Sequence, residues 1–137
     1  MIEWLKDLFP LCRSITGNGT RKTLSYFEKI NSELKRLKFK SGKKVFDWNI
    51  PLEWNIKDAY IKHQSGKKFA IFKKNNLHIV GYSIPINKIL NELELKNKIY
   101  TDKKRPNAIP YVTSYYKKNW GFCMSEKQKK KITQWKI

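Results

Sequence analysis

Apolar residues recur every three or four positions in two stretches near the start of the chain. This spacing predicts a short helix over Ile2–Phe9 and a longer helix over Arg21–Leu37, with Thr20 as the residue that caps the start of the longer one. The apolar positions of the longer helix share one face, and lysine and glutamate fill the opposite face. They are Leu24, Phe27, Ile30, Leu34 and Leu37. The pattern is typical of a helix that packs one side against other elements.

From Val45 onward the pattern changes to short apolar runs separated by turn residues. The runs predict strands at 45–48, 68–72 and 77–84, a turn that leads into a strand over 54–61, and a hairpin turn at 64–67. A helical spacing returns at 89–97 and at 126–132, where Ser125 is placed to cap the last helix, and a strand pattern starts at 133–137. Helices on either side of a strand-rich middle predict an α+β fold with mostly antiparallel strands.

Composition limits the kind of protein that this chain can be. Its 137 residues are 40% hydrophobic and 14% aromatic, which suffices for one packed domain or for a small domain and part of another. No apolar run approaches the roughly 20 residues that span a membrane, and residues 1–7 do not form a secretory signal, so we expect a cytoplasmic protein without a membrane partner. Cys12 and Cys123 lie far apart and in no metal-binding spacing, so the alternatives are a long-range disulfide and two reduced, buried thiols. Without a secretory signal, the reduced thiols are favoured.

The net charge of +19 would suit a polyanionic partner. Lysine supplies 26 of the 30 basic residues, however, and arginine, which recognises phosphates and bases through two parallel hydrogen bonds, is scarce. Abundant Lys, Ile and Asn is what A/T-rich codons encode, so a compositional bias explains the charge and we do not expect nucleic acid as the partner. A non-catalytic basic module for nucleic acid or an anionic surface remains the alternative, as does a carbohydrate-binding β domain with coplanar, exposed aromatic rings.

Four segments carry a family signature: 11–19, 45–61, 76–85 and 109–123. In this order and spacing they resemble the N-terminal part of a bacterial family of aminopeptidase-like proteins. The resemblance implies a zinc aminopeptidase fold with a small β domain inserted near its N-terminus. It also implies that the zinc-binding His, Asp and Glu residues lie downstream of this chain.

The resemblance divides the chain into three predicted parts. Residues 1–44 would be the N-terminal helical part of an incomplete aminopeptidase-like α/β domain, 45–123 the inserted β-rich domain, and 124–137 the return to the catalytic domain. The implied function is zinc-dependent removal of N-terminal residues from peptides or related amides. The implied partners are that substrate and the remainder of the catalytic domain. No catalytic or metal-binding residue is assigned to this chain.

The candidate substrate-binding residues are Tyr115, Tyr116, His78 and Arg13. The two tyrosines lie in the aromatic-rich segment 111–123, where we predict Tyr111, Trp120 and Phe122 to be buried and a tyrosine to face the cleft. His78 is either a hydrogen-bonded structural residue or faces the cleft. Arg13 either binds an anion or has a structural role, as an ion pair or as a hydrogen-bond donor to nearby carbonyl groups. The chain as a whole would wall or cover the active-site cleft of the complete enzyme, and it would be inactive alone.

Overall fold

The computed structural model of this chain describes residues 1–133. Contacts divide the chain into two compact units, Met1–Lys57 and a second unit that begins at Asp58. The boundary predicted after residue 44 follows the basic turn at 40–44, where the hydrophobic pattern changes, and the boundary predicted after 123 follows the family resemblance. Both stay predictions of domain organisation.

The first unit contains two helices, α1 (Ile2–Leu8) and α2 (Asn18–Ile30). They pack through Trp4, whose ring meets the ring of Phe27 edge-on at a centroid distance of 6.4 Å. The prediction of α1 was one residue too long, whereas α2 begins three residues before the predicted start and ends seven residues before the predicted end. It ends at Ile30 because Asn31 takes an extended conformation and its side chain accepts the backbone N–H of Glu33, a local bond that competes with helix.

A hairpin of β1 (Lys44–Val45) and β2 (Trp48–Asn49) follows in the first unit. The prediction of one strand over 45–48 is therefore wrong. The chain reverses between the two strands, and Phe46 has a φ of 52°, the left-handed conformation that two-residue hairpin loops require. The apolar run that indicated a strand is instead the loop and its two flanks.

The second unit opens with a hairpin of β3 (Ile61–Lys62) and β4 (Lys68–Phe69), paired antiparallel as Ile61↔Phe69 and Lys62↔Lys68. The predicted turn at 64–67 is confirmed, and Gly66 supplies its left-handed residue with a φ of 85°. The return strand is shorter than predicted because Ala70, with a φ of 45°, turns the chain away.

Four short extended segments make up the centre of the second unit. Gly81 pairs in parallel with Thr113, and Ile79 pairs antiparallel with Phe122. Phe122 belongs to β6 (Phe122–Cys123), which pairs in parallel with β5 (Ile99–Tyr100). The segments thus lie side by side in the order 113, 79–81, 122–123, 99–100, although they are distant in sequence.

The strand predicted over 77–84 is wrong in its extent. Asn76–His78 form a 3-10 turn, because the side chain of Asn75 accepts the backbone N–H of Leu77 at 3.0 Å. Strand pairing is limited to Ile79 and Gly81, and Tyr82, with a φ of 63°, ends it.

The core of the second unit is built around residues 121–125. Within the described chain, the buried side chains of this unit are Ala70, His78, Ile79, Val80, Ile99, Phe122, Cys123, Met124 and Ser125. Gly121 is required for this packing, because a Cβ atom there would lie 2.6 Å from Cε2 of Tyr100 and 2.9 Å from the carbonyl oxygen of Lys98.

Two helices complete the second unit, α3 (Glu92–Lys96) and α4 (Glu126–Thr133). Helix α3 is shorter than the predicted 89–97, because Asn91 and Glu94 form a reciprocal capping box at its start. The predicted cap of α4 is confirmed, since Ser125 Oγ accepts the N–H of Gln128. The strand predicted at 133–137 begins on a residue of α4 and otherwise lies outside the described residues.

The described chain combines helices with small, separate two-stranded sheets, so the α+β class is confirmed. Among the described strand pairs, two are antiparallel and one is parallel. No helix within residues 1–133 is both long enough and apolar enough to cross a membrane.

Candidate functional site

Three tyrosine rings meet on the second unit and form the tyrosine cluster of Tyr82, Tyr115 and Tyr116. The ring of Tyr115 lies edge-to-face against Tyr82 at a centroid distance of 5.1 Å and against Tyr116 at 4.5 Å. Tyr116 is 88% exposed, whereas Tyr115 and Tyr82 are half-buried. The structure therefore brings the two predicted tyrosines together and adds a third.

Pairing of backbone segments explains why Tyr82 reaches this cluster. Gly81 donates its N–H to the carbonyl oxygen of Val112 at 2.8 Å, and its own carbonyl accepts the N–H of Ser114 at 2.9 Å. Tyr82 follows with a φ of 63°, a conformation that costs a non-glycine residue free energy. The sequence analysis missed Tyr82, because a tertiary pairing between distant segments leaves no local signal.

The surroundings of Tyr115 favour its neutral phenol. Partial burial raises the pKa of the Tyr115 hydroxyl, and the neighbouring hydroxyls of Tyr82 and Tyr116 raise it further. Tyr115 is therefore a hydrogen-bond donor and acceptor rather than an ionised group at neutral pH. The cluster offers an exposed ring and hydroxyl groups, which suit binding of a ligand rather than acid–base or nucleophilic chemistry.

His78 is buried in the 3-10 turn, and its Nδ1 donates to the carbonyl oxygen of Cys123 at 2.8 Å. This bond ties the turn to β6 and agrees with the structural reading of His78. Contact with a substrate stays a prediction for this residue.

Arg13 is exposed in the first unit, and no described residue forms an ion pair or hydrogen bond with its guanidinium. The structural ion pair that we considered is not formed within residues 1–133. Binding of an anion stays a prediction for Arg13.

Within the first unit, signature segment 11–19 lies against signature segment 45–61. Asn55 Oδ1 accepts the N–H of Asn18, the first residue of α2, at 2.7 Å, and Trp54 donates its N–H to the carbonyl oxygen of Thr16. Arg21 holds Glu53 through both guanidinium nitrogens, and this bond lowers the pKa of the Glu53 carboxyl. A Cβ atom on Gly17 would lie 2.5 Å from the carbonyl oxygen of Trp54, so this contact needs glycine at position 17.

Both cysteines are free thiols, as predicted, and neither is a plausible nucleophile. Burial raises the pKa of Cys123 to about 11, and partial burial raises the pKa of Cys12 as well. A thiol with a raised pKa carries little of the reactive thiolate at neutral pH. Cys123 is buried as predicted, whereas Cys12 is only half-buried.

Metal chemistry does not fit the residues that the structure describes. Among residues 1–133, no three His, Cys, Asp or Glu side chains are grouped so that they could hold a metal ion. A zinc site of the kind used in hydrolases needs at least three such ligands. No step involving a metal is therefore assigned to this segment.

The predicted burial of the aromatic-rich segment is correct only in part. Phe122 is buried and Trp120 is half-buried, but Tyr111 is exposed.

Comparison with known proteins places the chain in a family. Residues 53–136 match the family described as "Domain of unknown function (DUF2172)", and the chain belongs to this family. It is also 50% identical, over 122 residues, to a Clostridium acetobutylicum protein with the provisional name of a polysaccharide biosynthesis protein with an aminopeptidase-like domain. The resemblance to aminopeptidase-like proteins is thereby confirmed.

A solved structure extends this result. The crystal structure of a Clostridium acetobutylicum protein provisionally described as a peptidase is similar over 98% of this chain, with a TM-score of 0.88 and 46% sequence identity. The chain spans 31% of that protein and 28% of the first relative, so it corresponds to less than a third of the length of either.

Proposed function

We propose that this chain is a non-catalytic, cleft-shaping part of an aminopeptidase-like hydrolase that removes N-terminal residues from peptides or related amides. The observation that carries the proposal is the similarity to the solved structure provisionally described as a peptidase, over 98% of the chain and at a TM-score of 0.88. Because the chain corresponds to 31% of that protein, the reaction itself is assigned to residues outside it. The segment alone is then inactive.

Zinc is the expected cofactor of the complete hydrolase, where it activates a water molecule and polarises the scissile carbonyl group. Its ligands are expected in the incomplete aminopeptidase-like domain, beyond the segment described here. The contribution of this chain is therefore limited to binding and shaping, for which its polar and aromatic side chains are suited.

The tyrosine cluster is the proposed substrate contact. Tyr116 presents most of its ring and its hydroxyl to solvent, and Tyr115 supports that ring from the side at 4.5 Å. An aromatic ring with a hydroxyl group can pack against an apolar side chain while bonding to a peptide group. Tyr82 would hold Tyr115 in place through its own edge-to-face contact.

The test is to change Tyr115 and Tyr116 to Ala in the full-length protein encoded by the gene and to measure kcat/KM on a panel of aminoacyl amides. We expect altered substrate preference, because the residues would contact substrate without taking part in the chemistry. Tyr111→Ala is the matched control, since Tyr111 is an exposed tyrosine outside the cluster. Unchanged preference and rate in the double variant would contradict this role.

The remainder of the catalytic domain is the proposed partner of the first unit. Ile2 and Leu5 lie on one face of α1 and are 68% and 65% exposed. Apolar side chains in such a contiguous position are typical of a face that another surface covers. The coding DNA on both sides of this segment tests the proposal. An open frame with closely spaced His, Asp and Glu codons is expected, and an isolated short frame would contradict it.

A saccharide amide is a second candidate substrate, because one relative is provisionally named a polysaccharide biosynthesis protein. The rings of the tyrosine cluster meet at 90° and 88°, so the cluster does not form the coplanar platform expected of a carbohydrate-binding domain. An amide carried by an amino sugar needs no such platform. Assaying N-acylated amino sugars beside aminoacyl amides distinguishes the two substrate classes.

A further inference from the structure

Helix α2 carries an open groove of about 460 Å³ on its polar side. The residues that line it all belong to that helix: Asn18, Arg21, Lys22, Ser25, Tyr26 and Lys29. They recur at intervals of three or four positions, which places them along one face of the helix. The groove belongs to the first unit of the chain, and the tyrosine cluster belongs to the second unit.

The cations of this α2 groove differ in how they are neutralised. Arg21 is paired with Glu53 through both of its terminal nitrogens. Lys22 and Lys29 are exposed, and no carboxylate among the described residues pairs with either of them. They are seven residues apart, which separates them by about 10 Å along the helix axis. The groove therefore has two lysines without a carboxylate partner among the described residues, and the helix fixes the distance between their backbone positions.

The remaining groups of the groove favour a peptide over a nucleic acid. Ser25 Oγ accepts a hydrogen bond from Arg36, which leaves the hydroxyl hydrogen of Ser25 to donate to a ligand. Arg21, which lines the groove, is already paired with Glu53, and Arg36, which bonds to Ser25, is paired with Glu28. Guanidinium is the group that binds phosphates through two parallel bonds, so neither arginine is free to do so. The Tyr26 hydroxyl donates to Asp7 at 2.6 Å and its ring lies edge-on to Phe27, so this ring is not a free platform for bases.

We propose that the α2 groove binds an acidic segment of a polypeptide, with carboxylates at Lys22 and Lys29 and a peptide carbonyl at Ser25. An extended chain advances about 3.3 Å per residue and places alternate side chains on one face, so carboxylates at positions i and i+4 lie about 13 Å apart on the same face. Two long lysine side chains, whose backbone positions are about 10 Å apart along the helix axis, can reach that separation. Charge complementarity carries the assignment, because a carboxylate satisfies each lysine that lacks an acidic neighbour. The inference does not depend on the peptidase-like function.

The experiment compares two variants that each lower the net charge by two. Lys22→Gln/Lys29→Gln removes the groove cations, and Lys38→Gln/Lys40→Gln removes two exposed lysines of the same unit that lie outside the groove. Glutamine keeps the helix propensity of lysine, so α2 is retained. The probe is fluorescein-labelled hexaglutamate, with hexaglutamine as the uncharged reference, and binding is followed by fluorescence anisotropy at physiological ionic strength.

We expect the groove variant to bind hexaglutamate about tenfold more weakly than the unmodified chain, and the control variant to stay within about twofold. Equal weakening in both variants would overturn the proposal, because it would show attraction to the overall positive charge. Equal binding of hexaglutamate and hexaglutamine by the unmodified chain would overturn it too. A short oligothymidylate is tested in the same way. If the unmodified chain binds it more tightly than hexaglutamate and the groove variant loses that binding, the ligand of the groove is nucleic acid and the peptide assignment is overturned.

Discussion

The two units of the chain retain their structure by different means. In the second unit, Val80, Cys123 and Met124 are completely buried at the centre of four paired segments. In residues 1–57, all of which the structure describes, Leu8 is the only apolar side chain that is buried. The first unit instead relies on hydrogen bonds between residues 14–21 and 52–55.

This difference shows that apolar content does not determine how much core a region forms. The first unit is rich in large apolar residues, yet many of them are exposed, among them Ile2, Leu5, Leu37, Phe39 and Leu52. The second unit gathers its apolar residues from segments that are distant in sequence. We therefore expect the second unit to be sensitive to changes in side-chain volume and the first to changes in polar contacts.

The largest expected effect is that of a cavity in the second unit. Met124 is completely buried, so Met124→Ala removes packed atoms and should lower the free energy of unfolding by about 3 kcal/mol. Leu5→Ala removes a 65% exposed side chain of the first unit and should change it by less than about 0.5 kcal/mol. Urea denaturation measures both. A loss of similar size in the two variants would abolish the distinction between the units.

Overpacking provides the next test. Gly121→Ala places a methyl group 2.6 Å from Tyr100 and should lower the free energy of unfolding by about 2 kcal/mol. Gly42→Ala in the first unit meets no atom within 4 Å but has a φ of 82°, so it should cost about 1 kcal/mol from backbone strain alone. Thermal unfolding of the two variants compares them, and a Gly42 effect larger than the Gly121 effect would contradict the packing around Gly121.

Thiol reactivity sharpens the comparison, since each unit contains one cysteine. The pKa of Cys123 is raised to about 11 by burial, and Cys12 is only half-buried. In the folded protein we expect Cys12 to react with iodoacetamide about tenfold faster than Cys123 at mildly alkaline pH. Peptide mass spectrometry after timed labelling measures both rates. In urea the difference should vanish, and its persistence there would exclude burial as the cause.

The smallest expected effect is the pH dependence of the first unit. Because Arg21 lowers the pKa of Glu53 in the folded state, the bond contributes stability above the ordinary glutamate pKa. That contribution is lost as the pH falls through the lower pKa of the folded state. The NMR chemical shift of the Asn18 amide should change between about pH 5 and pH 2 in the unmodified chain. It should change as much in the control variant Glu33→Gln, but much less in Glu53→Gln. If the Asn18 shift in Glu53→Gln kept the pH dependence of the unmodified chain, the bond between Arg21 and Glu53 would not be its cause.

Local signals in the sequence predicted the elements whose causes are local. The spacing of apolar residues located both N-terminal helices, and the turn at 64–67 and the Ser125 cap followed from residues that favour those conformations. The predictions failed where a left-handed backbone conformation or a side-chain hydrogen bond interrupts the strand that a run of apolar residues had indicated. Phe46 and Asn75 are the clearest cases. Phe46 places a hairpin loop within the strand predicted at 45–48, and Asn75 converts the start of the strand predicted at 77–84 into a 3-10 turn.

The candidate site was predictable only in part for a similar reason. The aromatic density of 111–123 indicated Tyr115 and Tyr116, which the structure brings together. Tyr82 could not be found, because its place beside Tyr115 depends on the pairing of Gly81 with Thr113 across 32 positions of sequence. A single sequence does not show such a pairing.

The bond between His78 and the carbonyl oxygen of Cys123 also fixes the chemical polarity of the imidazole ring. A carbonyl oxygen can only accept, so Nδ1 must carry a hydrogen, and in the neutral ring the lone pair lies on Nε2. The fold thereby selects one of the two tautomers without any ligand. Any neutral group that bonds to this ring must approach Nε2 and must supply the hydrogen itself, so an alcohol or an amide N–H is accepted there and a bare carbonyl is refused.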